Sequence, residues 1–71
     1  MISQFDIRYD NNRDALMLTK VPHDSIVNSI EGKYGVTLHK DIYNHLVCIE
    51  IPEPDILFGV NIKELQNFIN K

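Results

Sequence analysis

Apolar and polar residues alternate from the start of the chain. Phe5, Ile7 and Tyr9 are separated by Asp6, Arg8 and Asp10, a period of two that predicts a strand with one apolar face. The turn formers Asp10-Asn11-Asn12-Arg13-Asp14 follow, and Leu16 and Leu18 then resume the pattern. Residues 4–10 and 14–20 therefore read as a β-hairpin. Val21-Pro22-His23-Asp24 breaks the run, because proline cannot donate to a ladder and restricts the residue before it. Residues 25–31 read as a third strand, with Ile26 and Ile30 on one face and Val27 on the other, ended by a turn at Glu31-Gly32-Lys33. Tyr34, Val36 and Leu38 alternate with Gly35, Thr37 and His39 in a fourth strand. Lys40-Asp41-Ile42-Tyr43-Asn44 closes the next hairpin, and Asn44 suits a left-handed backbone position. Residues 45–51 have the strongest β-propensity of the chain and form the fifth strand.

The period changes near the C-terminal end. Asn61-Ile62-Lys63-Glu64 has the spacing of a capping box, and Ile62, Leu65, Phe68 and Ile69 then fall on one helical stripe. The spacing predicts a helix over 62–70. A helix this short is marginal alone in water and must dock on the sheet. The segment 56–60, Ile-Leu-Phe-Gly-Val, is either a short edge strand or an irregular crossover that plugs the core. The pattern as a whole predicts a single α+β domain over residues 1–71: an antiparallel meander of about five short strands with a C-terminal helix packed on it.

Two strands depart from clean alternation. Ala15, Leu16, Met17 and Leu18 are consecutive, as are Leu46, Val47, Cys48 and Ile49. Runs apolar on both faces imply strands covered on both faces, which one short helix cannot achieve. The other face is closed by the sheet twisting and wrapping on itself, by the segment 56–60, or by a second molecule. The favoured expectation is a homodimer or a dedicated protein partner, with Met17, Leu46 and Cys48 as interface positions. Size points the same way. The chain has 71 residues and one cysteine, so no disulfide within the chain can reinforce a small core.

Composition narrows the setting more than the chemistry. No apolar run approaches the roughly 18 residues of a membrane span, and no secretory leader is legible. A soluble protein of the reducing cytoplasm is the expectation. The net charge of −3 and the scattered lysines and arginines argue against direct nucleic-acid binding, which draws its affinity from basic contacts to phosphates.

Asp10, Asp14 and Glu50 are the candidate carboxylate cluster, for acid–base work or a divalent cation, if the first hairpin lies beside the fifth strand. The favoured alternative makes Asp10 and Asp14 turn residues bonding their own backbone, with Glu50 paired to Arg8 or Arg13. His39 and His45 flank one hairpin and can face each other. His45 and Cys48, three apart on a strand, point to opposite faces, which argues against a shared metal site. Cys48 has only Val47 and Ile49 beside it, neither a base. Ser25 and Ser29 lack a nucleophile elbow, and three glycines make no phosphate loop. No catalytic or cofactor-binding residue is expected, and no cofactor.

The residues that carry this reading also carry a resemblance. Tyr9-Asp10, a three-residue turn and Asp14-Ala15-Leu16, answered by Ile49-Glu50-Ile51, resemble a small bacterial and archaeal domain-of-unknown-function family called YuzE-like. The resemblance spans roughly residues 5–51. It departs at Cys48, where glycine is usual, at Asn44, which replaces a hairpin glycine, and at His39, where aspartate is common. What it implies is an antiparallel sheet with a small helical addition and no established enzyme activity. It also implies a genomic setting beside small basic proteins of the ribonuclease-toxin kind, hence an antitoxin- or immunity-like role.

The sequence thus supports three readings in descending order. The first is a non-enzymatic protein-interaction module acting as a homodimer, with a small basic protein as a further partner. The second is a metal or small-ligand binding domain using Asp10, Asp14 and Glu50. The third is a minor enzyme with a site between subunits.

Overall fold

The computed structural model describes residues 4–69. The first hairpin forms where alternation placed it, as β1 (Gln4–Asp10) paired antiparallel with β2 (Ala15–Val21). Its turn is held by the Asp10 side chain, whose Oδ1 accepts from the backbone N–H groups of Asn12 (3.0 Å) and Arg13 (3.3 Å). Asp14 closes the turn at φ 49°. The third strand is shorter than expected, β3 (Asn28–Glu31). So is the fourth, β4 (Thr37–Lys40), because Tyr34 takes φ 60° inside a 3-10 turn at Lys33–Gly35. Asp41 builds the next hairpin. It is buried, and its Oδ1 accepts from the N–H groups of Tyr43 and His45, both at 2.9 Å. Asn44 adopts the expected left-handed conformation, φ 65°. Then β5 (Leu46–Pro52) completes the sheet.

All pairings are antiparallel, in the order β1-β2-β5-β4-β3. This is not the simple meander expected from sequence. The chain leaves β2, crosses to the far edge, and returns through β3 and β4 so that β5 lies at the centre beside β2. The most apolar strands therefore sit innermost, where both edges are paired.

The segment after β5 is neither edge strand nor irregular crossover. It is a short helix, α1 (Pro54–Phe58), with Pro54 at its start and Gly59 at φ 68° as its C-cap. The second helix, α2 (Ile62–Ile69), begins where the cap predicted, with Asn61 Oδ1 accepting from Lys63 N–H at 2.8 Å. The expected extension to residue 70 lies outside the described residues.

Register assigns every strand residue to a face, because directly paired residues project on the same side. One row crosses all five strands: Ile7, Leu18, Ile49, Leu38 and Ile30. Next to it, Tyr9, Leu16 and Ile51 form a second row on the same apolar face. The other face carries Asp6, Thr19, Cys48, His39 and Ser29 in one row. Beside these lie Arg8, Met17, Glu50, Thr37 and Glu31. The sheet is thus mainly apolar on one side and polar on the other, the exceptions being Ala15, Met17, Val21, Cys48 and Pro52 on the polar face and Lys20, Asn28 and Lys40 at one end of the apolar face.

The core is small. Among the described residues the buried apolar side chains are Ala15, Leu16, Val47 and Cys48, joined by Pro54. By contrast Ile7 and Ile30, at the two ends of the apolar row, are each 46% exposed, and Phe68 of α2 is 72% exposed. The accessible surface is 5461 Å². A compact monomer of 8.2 kDa is expected to expose about 4500 Å², so the chain shows an excess of roughly 900 Å². Its radius of gyration, 12.7 Å, also exceeds the roughly 11 Å usual for this length.

Candidate functional site

The polar face holds a hydrogen-bonded chain that crosses three strands. Ser29 Oγ on β3 lies 2.7 Å from Nδ1 of His39 on β4. His39 Nε2 lies 3.1 Å from Glu50 Oε1 on β5. An ionised carboxylate only accepts, so Nε2 carries a proton and donates to Glu50, while Nδ1 is the partner of the Ser29 hydroxyl. Arg13 reaches over from the β1–β2 turn to the same Glu50 oxygen at 3.3 Å. Its guanidinium also stands 4.0 Å from Asp10. One strand across from His39, the Thr19 hydroxyl donates to Cys48 Sγ at 3.4 Å.

A β-bulge makes this arrangement. Lys40 pairs with Leu46, yet His39 pairs with Cys48, so β5 carries one extra residue between them. A one-residue slip turns a strand's side chains to the opposite face. With the slip, Leu38 lies opposite Ile49, and His39 shares a face with Cys48 and Glu50. Without it His39 would face Val47 and stand among aliphatic side chains. The signal in the sequence is the match of Leu38 to Ile49 and of Thr37 to Glu50, apolar to apolar and polar to polar.

Serine, histidine and glutamate in a relay resemble the parts of an acyl-transfer site. The setting does not suit that chemistry. Such a reaction needs donors for a developing oxyanion and walls that exclude water. Ser29 lies on an edge strand exposed at all four positions, so a molecule bound there stays in water. What the relay does is tie β3 to β4 and β4 to β5 through side chains as well as backbone.

Of the candidate carboxylates, Asp10 and Glu50 share Arg13 between them, and Asp14 bonds Tyr9. Asp10 holds its own turn, Glu50 is engaged by His39 and Arg13, and Asp14 accepts from the Tyr9 hydroxyl. Glu50 pairs with Arg13 rather than Arg8, whose guanidinium sits 2.6 Å from Asp6. Among the described residues no three histidine, cysteine or acidic side chains are arranged to hold a metal ion. His39 and His45 do not face each other. His45 lies in the hairpin turn, 3.7 Å from the Asp41 carboxylate, while His39 faces Cys48. Of the expected interface positions, Met17 is half-buried on the polar face and Leu46 half-buried beside the bulge. Cys48 is 2% exposed and offers almost no surface.

The bond from Tyr9 to the Asp14 carboxylate, with the nearby charges of Asp14, Asp55 and Asp10, pushes the phenol up to about 12. The folded chain therefore holds this proton more tightly than the unfolded one. Its contribution to stability is intact below pH 10 and is lost as pH rises toward about 12. Phenolate absorbance should show one of the three tyrosines ionising late, and Asp14→Asn should bring that step down. A late step that persists in Asp14→Asn would mean the bond is not its cause.

Comparison with protein-family models, with curated proteins and with solved structures finds no match. Among the described residues no helix is long and apolar enough to cross a membrane. What defines the candidate site is the contrast of the two faces: a polar face crossed by hydrogen-bonded side chains, and an apolar face that is buried at Leu16 but exposes Ile7 and Ile30 at the two ends of its aliphatic row.

Proposed function

We propose that this protein is a non-enzymatic protein-interaction module that works as a homodimer. The observation that carries the reading is the open apolar row, Ile7 to Ile30, on a chain with roughly 900 Å² more exposed surface than its mass requires. An interface of ordinary size buries about 800 Å² on each partner. Exposed aliphatic rows of this extent are uncommon on proteins that act alone.

The relay on the polar face is part of the scaffold in this reading. It satisfies polar side chains that are half-buried between strands, and Ser29 keeps only an ordinary hydroxyl. The helix α2 lies against the β1 side of the sheet, supported by the contact from Gln66 to Asn11 and by its half-buried Ile62, Leu65 and Ile69. The lone buried thiol of Cys48 fits a reducing, cytoplasmic setting. The YuzE-like resemblance, resting on Tyr9-Asp10, Asp14-Ala15-Leu16 and Ile49-Glu50-Ile51, adds an antitoxin- or immunity-like role with a small basic partner. The net charge of −3 is compatible with such a partner.

The test is solution mass by light scattering over a roughly hundredfold range of concentration. The expected result is twice the 8.2 kDa chain mass, falling toward the monomer only at the dilute end. A single-chain mass throughout the range would remove the homodimer reading.

A further inference from the structure

Among the described residues, one row of the sheet is aliphatic on all five strands. We infer that a second copy of this chain packs on the row Ile7, Leu18, Ile49, Leu38 and Ile30, face to face, as one half of a two-sheet sandwich. This rests on the homodimer reading above and adds which surface is used and how the copies are oriented.

Three observations select a second copy as the occupant. The row is aliphatic at all five positions, so every side chain in it meets an aliphatic side chain of the second copy. A two-fold contact requires such self-complementarity, since each patch meets its own image. The whole chain exposes roughly 900 Å² beyond what its mass requires, an amount comparable with the roughly 800 Å² that each partner contributes to an interface of standard size. Charge then sets the direction. Lys20, paired with Phe5, and Lys40, paired with Asn28, lie on the apolar face at one end of the strands. Beyond the other end stand Asp14, bonded to Tyr9, and Asp55, whose Oδ1 is buried without a hydrogen-bond partner among the described residues. A two-fold axis running along the aliphatic row reverses the strand direction of the second copy. It sets the lysine end of each copy over the acidic end of the other. An axis that kept the ends together would stack lysine on lysine. Side chains of the two inner faces then interdigitate across a layer about 10 Å thick.

The contact also explains the two-layer economy of the fold. Leu18, Leu38 and Ile49 are only half-buried although they lie on the three inner strands. In the dimer they become the centre of a shared core.

The experiment compares solution mass over a range of concentration for the unmodified chain, Ile7→Glu, Ile30→Glu and Met17→Glu, with circular dichroism as a check on folding. Ile7 and Ile30 lie on opposite edge strands and are each 46% exposed, so a glutamate there stays in water in the monomer. In the dimer the same carboxylate is buried without a partner, and self-association should weaken at least roughly tenfold in each variant. Met17 lies on the polar face, so Met17→Glu should leave the dimer as it is. A dimer that survives both Ile7→Glu and Ile30→Glu overturns this inference while the homodimer reading stands. Dissociation by Met17→Glu alone moves the interface to the polar face and also overturns it. An unmodified chain that is monomeric throughout overturns both readings.

Discussion

Leu16→Ala is expected to leave the chain barely folded. Leu16 is 7% exposed and is the largest buried apolar side chain among the described residues, the others being Ala15, Val47, Cys48 and Pro54. Truncating a buried leucine costs about 2–5 kcal/mol, through lost transfer energy and the cavity left behind. A domain of 71 residues has a total stability of about 4–10 kcal/mol. One substitution therefore removes around half of what holds the fold. Denaturant titration should show the midpoint fall steeply or the cooperative transition vanish. Phe68→Ala, at a position 72% exposed, should by contrast change stability by no more than about 0.5 kcal/mol. Equal costs at the two positions would show that Leu16 is not the centre of the core.

The second large effect is expected at Glu50. Its Oε1 is the acceptor for both His39 Nε2 at 3.1 Å and Arg13 at 3.3 Å. The side chains of His39 and Glu50 are only 16% and 21% exposed, so Glu50→Ala strands the His39 ring N–H between strands. The cost should be about 2 kcal/mol, nearly all of it from His39, because the Arg13 side is open to solvent and its ion pair is screened. Glu50→Gln keeps an acceptor for His39 and should cost less, and Ser29→Ala, at an exposed edge position, least of all. Denaturant midpoints of the three variants check this ordering. If Ser29→Ala proved as costly as Glu50→Ala, the relay would be a unit with a role beyond the scaffold.

How much of this was legible in the sequence depends on range. Local signals read well. The alternation of Phe5, Ile7 and Tyr9 found the first hairpin, Asn44 its left-handed turn, and Asn61 the start of α2. The helix α1 was missed because Ile56, Leu57 and Phe58 are too short a run to show a period. Its signs were the punctuation around them, Pro54 at the first turn and Gly59 after the last. Tyr34 reads as a strand residue by alternation, but the turn between β3 and β4 claims it at φ 60°.

Long-range order was less accessible. Strand order depends on where the crossover after β2 lands, and alternation has no information on that. The relay depends on a single extra residue in β5, and one slip of register exchanges which side chains share a face. The apolar runs in β2 and β5 read as strands covered on both faces, and they do not tell which side chains share a face. Met17 and Cys48 turn to the polar face, while Leu18 and Ile49 join the open row. The expected interface positions thus shift in the proposal from Met17, Leu46 and Cys48 to the row between Ile7 and Ile30.

In the proposed dimer a second copy completes this fold. The most direct test is the thermal midpoint of the unmodified chain measured at concentrations a hundredfold apart. Unfolding coupled to dissociation makes the midpoint depend on concentration, and for chains of this size the shift should be about 10 °C over that range. A midpoint that rises with concentration by this amount is the expected result. A midpoint that does not move would mean the single chain is already the complete folding unit, and the open apolar face would lose its explanation.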